Sequence, residues 1–272
     1  PLSPEVPRRT TPGNVLFIAS AMVPGLVYLF LVVGLVVADL CYTDAVTFWK
    51  TLSTREIQYA LKLSLITSLA STGLSVLVAV PTGYVLARWR FPGSVVIDTI
   101  LDLPIVLPPL VVGVSLLVFF RTPVGQFIER SGLSLVYEPA GIVLAQMVVA
   151  CAFGIRTVKA SFEAVNPRFE NVARTLGAGR LRSFLTVSLP IARNGILAGV
   201  VLVWARSIGE FGPIIIFSGA TRMHTEVLPT SIYLELSVGH IEAALAVALL
   251  MMLMGMVMLV VIKTFGGTRT SF

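Results

Sequence analysis

The chain has 272 residues, 56% of them hydrophobic and only 12% charged, where a typical soluble domain is about 25% charged. Its mean hydropathy is +0.91 and its formal net charge +6. These values exclude an ordinary soluble domain and indicate one integral membrane domain. The positive balance does not call for nucleic acid, because the basic residues sit in loops and at helix ends, where the positive-inside rule collects them.

In chain order, residues 1–13 are Pro-rich, carry Arg8 and Arg9, and are expected to form a cytoplasmic tail. The sequence begins at Pro1 rather than methionine, consistent with a natural start upstream. Span 1 is predicted over Asn14–Ala38, with Pro24 as a kink; it is too long for a signal-peptide core and is read as retained. Residues 39–58 read as a polar loop. Span 2 is Tyr59–Ala87, stopped by Arg88 and Arg90, and its uncharged part exceeds the ~20 residues that cross the hydrocarbon. Span 3 is Thr99–Phe120. It opens on Pro104, Pro108 and Pro109, which break backbone hydrogen bonding and must therefore face protein or a water-filled path. Residues 121–139 form a second loop. Span 4 is Ala140–Phe162, span 5 is Ile191–Phe217 and span 6 is Ala243–Ile262. The fold class is all-α, a six-span domain over residues 14–263 with a second short tail at 264–272.

Charge sets the expected orientation. With the amino terminus inside, Arg8, Arg9, Arg88, Arg90, Arg156, Lys159, Arg168, Arg174, Arg180, Arg182, Arg193, Lys263 and Arg269 face the cytoplasm, 13 of the 20 Lys and Arg. Lys50, Arg55, Lys62, Arg121, Arg130 and Arg222 fall outside. Both termini and the basic loop at about 163–190 are then cytoplasmic.

That loop holds a short amphipathic helix. Asn166 suits an N-cap and Pro167 the first helical position. Phe169, Val172, Ala173 and Leu176 recur at helical spacing, and Gly177 and Gly179 are expected to end the helix. Its apolar stripe fits lipid headgroups or a groove on a soluble partner.

Inside the membrane, Arg206 and Glu210 stand one helical turn apart and can neutralise each other. They are either a structural ion pair or part of an anion path, because ionisable groups in a span face the bundle interior or water. Gln146 and Ser115 either line such a path or make core hydrogen bonds. Gly195 and Gly199 form a GxxxG packing face. Cys41 and Cys151 make no metal-ligand spacing, and His224 and His240 read as ordinary polar residues. No Lys follows a glycine as a phosphate-binding loop demands, and HExxH and GxSxG are both missing. No catalytic, metal or cofactor site is expected on this chain, so ATP-driven work would need a separate subunit.

The basic loop resembles that of binding-protein-dependent ABC importer permeases. Their loop reads Glu-Ala-Ala, three residues, Gly, nine residues, Ile-x-Leu-Pro. Ala173, Gly177, Leu189 and Pro190 match at that spacing, with Val187 for the isoleucine. Asn171 and Val172 depart from Glu-Ala, and Glu170 stands one place earlier. YVLARWRFPGSVVIDTILDLPIVLPPLVVGVSLL, GIVLAQMVVACAFGIRTVKASFEAVNPRFENVARTLGAG and SIGEFGPIIIFSG resemble the molybdate, tungstate and sulfate branch, over about residues 57–263. In the last, Gly209, Glu210, Phe211 and Gly212 match, and Pro213 replaces a common alanine.

The resemblance implies a homodimer in the prokaryotic inner membrane, two ATP-binding subunits that hold ATP and Mg, an external binding protein and an oxyanion substrate. It makes Asn166, Phe169, Glu170, Asn171, Val172, Ala173, Arg174, Leu176, Gly177, Ala178, Leu189 and Pro190 the ATPase-coupling segment. It places Pro108, Pro109, Ser115, Gln146, Arg206, Glu210, Phe211 and Gly212 along the path. Molybdate or tungstate is the expected substrate. Sulfate, another solute such as an amino acid or iron, and a non-transporting scaffold are the alternatives.

Overall fold

A computed structural model describes residues 12–265, and every described element is helical. The order is α1 (Pro12–Tyr42), α2 (Ala45–Leu52), α3 (Arg55–Arg88), α4 (Ser94–Val106), α5 (Pro109–Arg121), α6 (Pro123–Arg130), α7 (Pro139–Glu163), α8 (Arg168–Thr175) and α9 (Arg180–Ser183). A π-helical turn (Phe184–Ser188), α10 (Leu189–Ile208), α11 (Gly212–Phe217), α12 (Leu228–Ser237) and α13 (Ile241–Phe265) complete it. Five segments are long and apolar enough to cross a membrane: Ala19–Tyr42, α3, α7, Arg180–Ile208 and Ile241–Val260. The pair α4 and α5 makes the sixth when counted as one broken span. Most of both expected tails, with Arg8, Arg9 and Arg269, lies outside the described residues.

Two expected spans are interrupted. The predicted single helix Thr99–Phe120 is instead α4 and α5, which meet at 114°. Leu107 and Pro108 each precede a proline, and that neighbour disfavours the α region. Both are accordingly extended, at ψ 138° and 133°. The predicted helix Ile191–Phe217 ends at Ile208 and resumes only at α11. Pro213 has no N–H to continue the ladder, and its ring would strike the carbonyl four residues back. The loops at 39–58 and 121–139 are also partly helical, as α2 and α6. Thr122 caps α6 by accepting a hydrogen bond from the Gly125 N–H at 3.4 Å, with Pro123 in its first turn.

The two breaks pack on each other. A Cβ on Gly212 would lie 2.8 Å from Pro109 Cβ, and one on Gly113 would lie 2.9 Å from both Pro213 Cα and Ile216 Cβ. The backbones of α5 and α11 therefore approach to a distance that only glycine permits. Irregular backbone at membrane depth must be buried in protein or line a cavity; here Gly212 and Pro213 are buried against α5, while Pro108 and Pro109 stay exposed on this chain.

Helix α7 runs through the centre, with Ile142, Ala145, Val149, Ala150, Ile155, Val158 and Phe162 buried. Helix α3 meets it at Ala79 and Gly83, opposite Gly154 and Val158, and its small hydroxyl residues Ser64, Thr67, Ser68, Ser71, Thr72 and Ser75 are all buried. Trp204 on α10 donates its indole N–H to Ser68 Oγ at 3.0 Å, and the Ser71 and Ser207 hydroxyls lie 3.3 Å apart. The expected Gly195/Gly199 face meets α7, at Ser161 and Thr157 respectively. Tyr59 near the start of α3 bonds the His224 carbonyl, whereas Tyr84 near its end bonds Glu170. Helices α3, α7 and α10 thus alternate between a basic-loop end and an opposite end.

Gly113→Val is expected to cost about 1–3 kcal/mol by overpacking the α5–α11 contact. Gly73→Ala, where nothing lies within 4 Å of the added carbon, is expected to leave stability unchanged or slightly higher. Thermal melting of the purified chain in detergent distinguishes them.

Candidate functional site: a capped loop helix and its charged anchors

Helix α8 is fixed at both ends by its own sequence. Asn166 Oδ1 accepts a hydrogen bond from the Arg168 N–H at 3.0 Å, and Pro167 already has helical angles, φ −58° and ψ −19°. At the other end the Gly177 N–H donates to the Arg174 carbonyl and the Ala178 N–H to the Ala173 carbonyl, both at 3.0 Å. Gly177 has φ +89°. This is a Schellman cap, and its left-handed residue favours glycine. Gly179 does not share that role. It is extended, with φ −68° and ψ 167°, and starts the short turn α9.

The apolar stripe faces away from the rest of the chain. Phe169 is 54% exposed, Val172 58% and Leu176 83%. Asn166, Asn171 and Arg174 are exposed as well, and Ala173 and Ala178 are half-buried. Pro190 is exposed in the first turn of α10, while Leu189 packs against the cluster of Phe162, Val165 and Ala192.

One α8 side chain points the other way. Glu170 Oε1 accepts hydrogen bonds from Arg88 Nε and Ser188 Oγ, each at 2.6 Å, and Oε2 accepts one from Tyr84 Oη at 3.0 Å. The Arg88 and Glu170 side chains are only 7% and 13% exposed. Arg88 Nη2 also donates to the Val165 carbonyl at 3.0 Å. In the sequence Arg88 reads as the stop of span 2, and nothing local marks Tyr84 or Ser188 as partners of Glu170. No local pattern reports a pairing of residues so far apart in sequence; knowing that spans 2 and 5 end at the same surface would have suggested it. Burial opposes ionisation of Glu170, but the hydrogen bonds from Ser188, Arg88 and Tyr84 outweigh it and hold the carboxyl below its ordinary value.

Beside this cluster, α4 lies on α7 through a charge ladder. Asp98 meets Lys159 at 2.7 Å, and Asp102 meets Arg156 at 3.5 Å. At the opposite end Arg222 bonds Glu235 at 2.8 Å and stands 3.5 Å from the buried Glu226. Both histidines join acids there: His240 Nδ1 is 3.0 Å from Glu235, and His224 Nε2 is 3.4 Å from Glu138.

Within the membrane, Arg206 Nη1 lies 2.7 Å from Glu210 Oε2, with side chains 29% and 1% exposed. The guanidinium also sits 5.8 Å from the centre of the Phe153 ring. The pair is thus formed as its spacing predicts. Among the other expected path residues, Pro109 touches Gly212 across the two helix breaks, Pro108 caps α5, and Phe211 packs near Tyr233, ring centres 5.9 Å apart. Ser115 is exposed on α5 and Gln146 is buried in α7. No hydrogen bond among the described residues joins either one to the Arg206–Glu210 pair.

Two outcomes follow from these anchors. Because the folded-state value of Glu170 is lowered, its contribution is present above the ordinary carboxylate range and is lost as pH falls through the lowered value. A spin label on Val172→Cys, in a Cys41→Ser background, is expected to gain mobility on that acidification and to show no such step in Glu170→Gln. Arg206→Met strands a buried carboxylate and is expected to destabilise the chain by about 3–5 kcal/mol. Adding Glu210→Gln should restore most of that loss. Thermal melting of both variants reads the difference.

The sequence matches the family described as "Binding-protein-dependent transport system inner membrane component" over residues 79–266. It is 30% identical to the sulfate transport system permease protein CysT of Salmonella typhimurium over 259 residues, covering 94% of each chain. It is 37% identical to the molybdenum transport system permease protein ModB of Mycobacterium tuberculosis over 238 residues, covering 84% of this chain and 89% of that one. The fold is similar to a chain in the crystal structure of a bacterial ABC transporter involved in the import of the acidic polysaccharide alginate, with a TM-score of 0.70 at 19% identity, covering 94% of this chain and 96% of that chain. The chain belongs to the inner-membrane permeases of binding-protein-dependent ABC importers, in the branch that includes the sulfate and molybdenum permeases.

Proposed function

We propose that this chain is the permease of an ATP-driven importer that carries molybdate or tungstate. It works as a homodimer with two ATP-binding subunits and an external binding protein. The observation that carries the coupling role is α8: a helix capped at both ends that turns Phe169, Val172 and Leu176 outward at the basic-loop end. In the orientation that charge favours, that end is cytoplasmic with both termini, where a nucleotide-binding subunit is accessible. ATP and Mg belong to that subunit, since this chain carries no phosphate-binding loop. Closure of the ATPase pair moves the coupling helices, and the permease alternates between inward- and outward-facing states. Hydrolysis then returns the inward-facing state.

Arg206 and the paired breaks around Pro109 and Gly212 are the elements assigned to the anion path. The broken backbone there suits a water-filled route better than a lipid face. Selection among tetrahedral oxyanions falls mainly to the binding protein. Sulfate is the second reading, favoured by the longer span of similarity to the Salmonella sulfate permease.

The test is ATP-dependent uptake in liposomes with the cognate ATPase and binding protein, with molybdate, tungstate and sulfate in competition. Molybdate or tungstate is expected to win at low concentration. Sulfate winning would change the substrate, and no uptake of any of them would sink the oxyanion reading. Leu176→Asp is expected to release the ATPase while leaving the melting temperature of the permease unchanged, because its side chain is 83% exposed. Retained ATPase and normal import in that variant would remove α8 from the interface.

A further inference from the structure

Helix α8 faces a mechanical problem. Its largest apolar side chains, Phe169, Val172 and Leu176, all turn outward, so they cannot hold it to the membrane domain. A lever that receives force on one face must be fixed on the other. Otherwise the helix swings on its two connections and the displacement is absorbed there.

The fixing is polar and reaches two spans. Glu170 takes hydrogen bonds from Tyr84 and Arg88 near the end of α3, and from Ser188 on the π-helical turn just ahead of α10. Arg88 also grips the Val165 carbonyl, on the strand of chain entering α8. The Ser183 hydroxyl, at the end of α9 on the chain leaving α8, donates to the Glu170 carbonyl at 3.4 Å. The same turn that carries Ser188 carries Phe184, whose ring lies 4.5 Å from Tyr84. Tyr84 in turn packs on Phe162 at 5.1 Å and on Trp89 at 5.4 Å. Both carboxylate oxygens of Glu170 are therefore committed within the chain, and the side chain is almost buried. It is aimed away from any surface that α8 offers a partner.

We infer that Tyr84, Arg88, Glu170 and Ser188 form a latch that makes α8 move as one body with the adjoining ends of α3 and α10. This rests on the coupling role proposed for α8 and assigns the next step of that transmission. Glu170 is the positioning residue: it touches neither nucleotide nor anion, and it acts by holding the lever to two spans at once. Removing the latch leaves the outward stripe intact and lets the ATPase turn over without driving the permease.

The test uses Glu170→Ala, Arg88→Ala and the double variant in the full chain, with Glu170→Gln as a milder substitute where Glu170→Ala folds poorly. In lipid nanodiscs without the ATPase, trypsin cleavage at Arg168, Arg174 and Arg180 reports attachment of α8. Each single variant is expected to raise the cleavage rate roughly tenfold through local opening. The double variant is expected to add little beyond either one, because both remove the same contact. In the assembled transporter the ATPase is expected to copurify as before, while ATP hydrolysed per anion imported rises about threefold or more, again without additivity.

An unchanged ratio of ATP to anion, with cleavage raised, would overturn the latch. Loss of the ATPase from Glu170→Ala with unchanged cleavage would also overturn it, by placing Glu170 at the partner surface. Failure of the docking proposal shows separately, in Leu176→Asp that keeps its ATPase; the cleavage assay does not depend on that result.

Discussion

Every interruption of a helix inside a membrane has to hide its backbone polar groups from hydrocarbon, and the architecture of this chain is arranged around two such interruptions. The proline pair after α4 and the Gly209–Pro213 stretch after α10 each release main-chain groups that a lipid face would not accept. The structure sets α5 against α11 with glycine on both sides of the contact, which buries Gly212 and Pro213 and leaves Pro108 and Pro109 exposed on this chain. The rest of the bundle follows. Helix α7 occupies the centre because its buried face of alanine, glycine and branched residues lets α3 and α10 approach closely, and α3 answers with Ala79 and Gly83.

Charge is then distributed by depth. At the basic-loop end the acids of α4 and α8 neutralise Arg88, Arg156 and Lys159, whose long side chains join helices. At the opposite end Glu226, Glu235 and Glu138 gather Arg222 and both histidines. Between the two ends, Arg206 near the end of α10 pairs with Glu210 just beyond it, so the ion pair is local in sequence. A buried pair of this kind adds little net stability but becomes expensive once one partner is lost.

Much of this was legible in the residues. Hydropathy located the spans because the period of burial and the thickness of hydrocarbon are fixed physical scales. Asn166, Pro167 and Gly177 announced α8 because caps are local, and Gly195 and Gly199 marked their packing face for the same reason. The proline cluster signalled broken hydrogen bonding, but not that the chain would turn through 114° or meet the break at Gly212. Gly179 misled, since glycine permits the left-handed region without requiring it. The contacts of Glu170 were hidden for a different reason. Its partners, Tyr84, Arg88 and Ser188, come from other helices, and a bond between distant segments leaves no periodicity to read.

The double capping of α8 also has a thermodynamic consequence. Short helices are usually marginal in water, because the first turn costs more than it returns. Asn166 and the Gly177 turn satisfy the end groups within the chain, and Glu170 fixes the inner face. A protein surface that receives Phe169, Val172 and Leu176 therefore meets a helix already formed, and little of the contact energy is consumed in ordering it. Association and release can then be fast and repeatable, with the affinity set by the fit of three side chains rather than by a folding step.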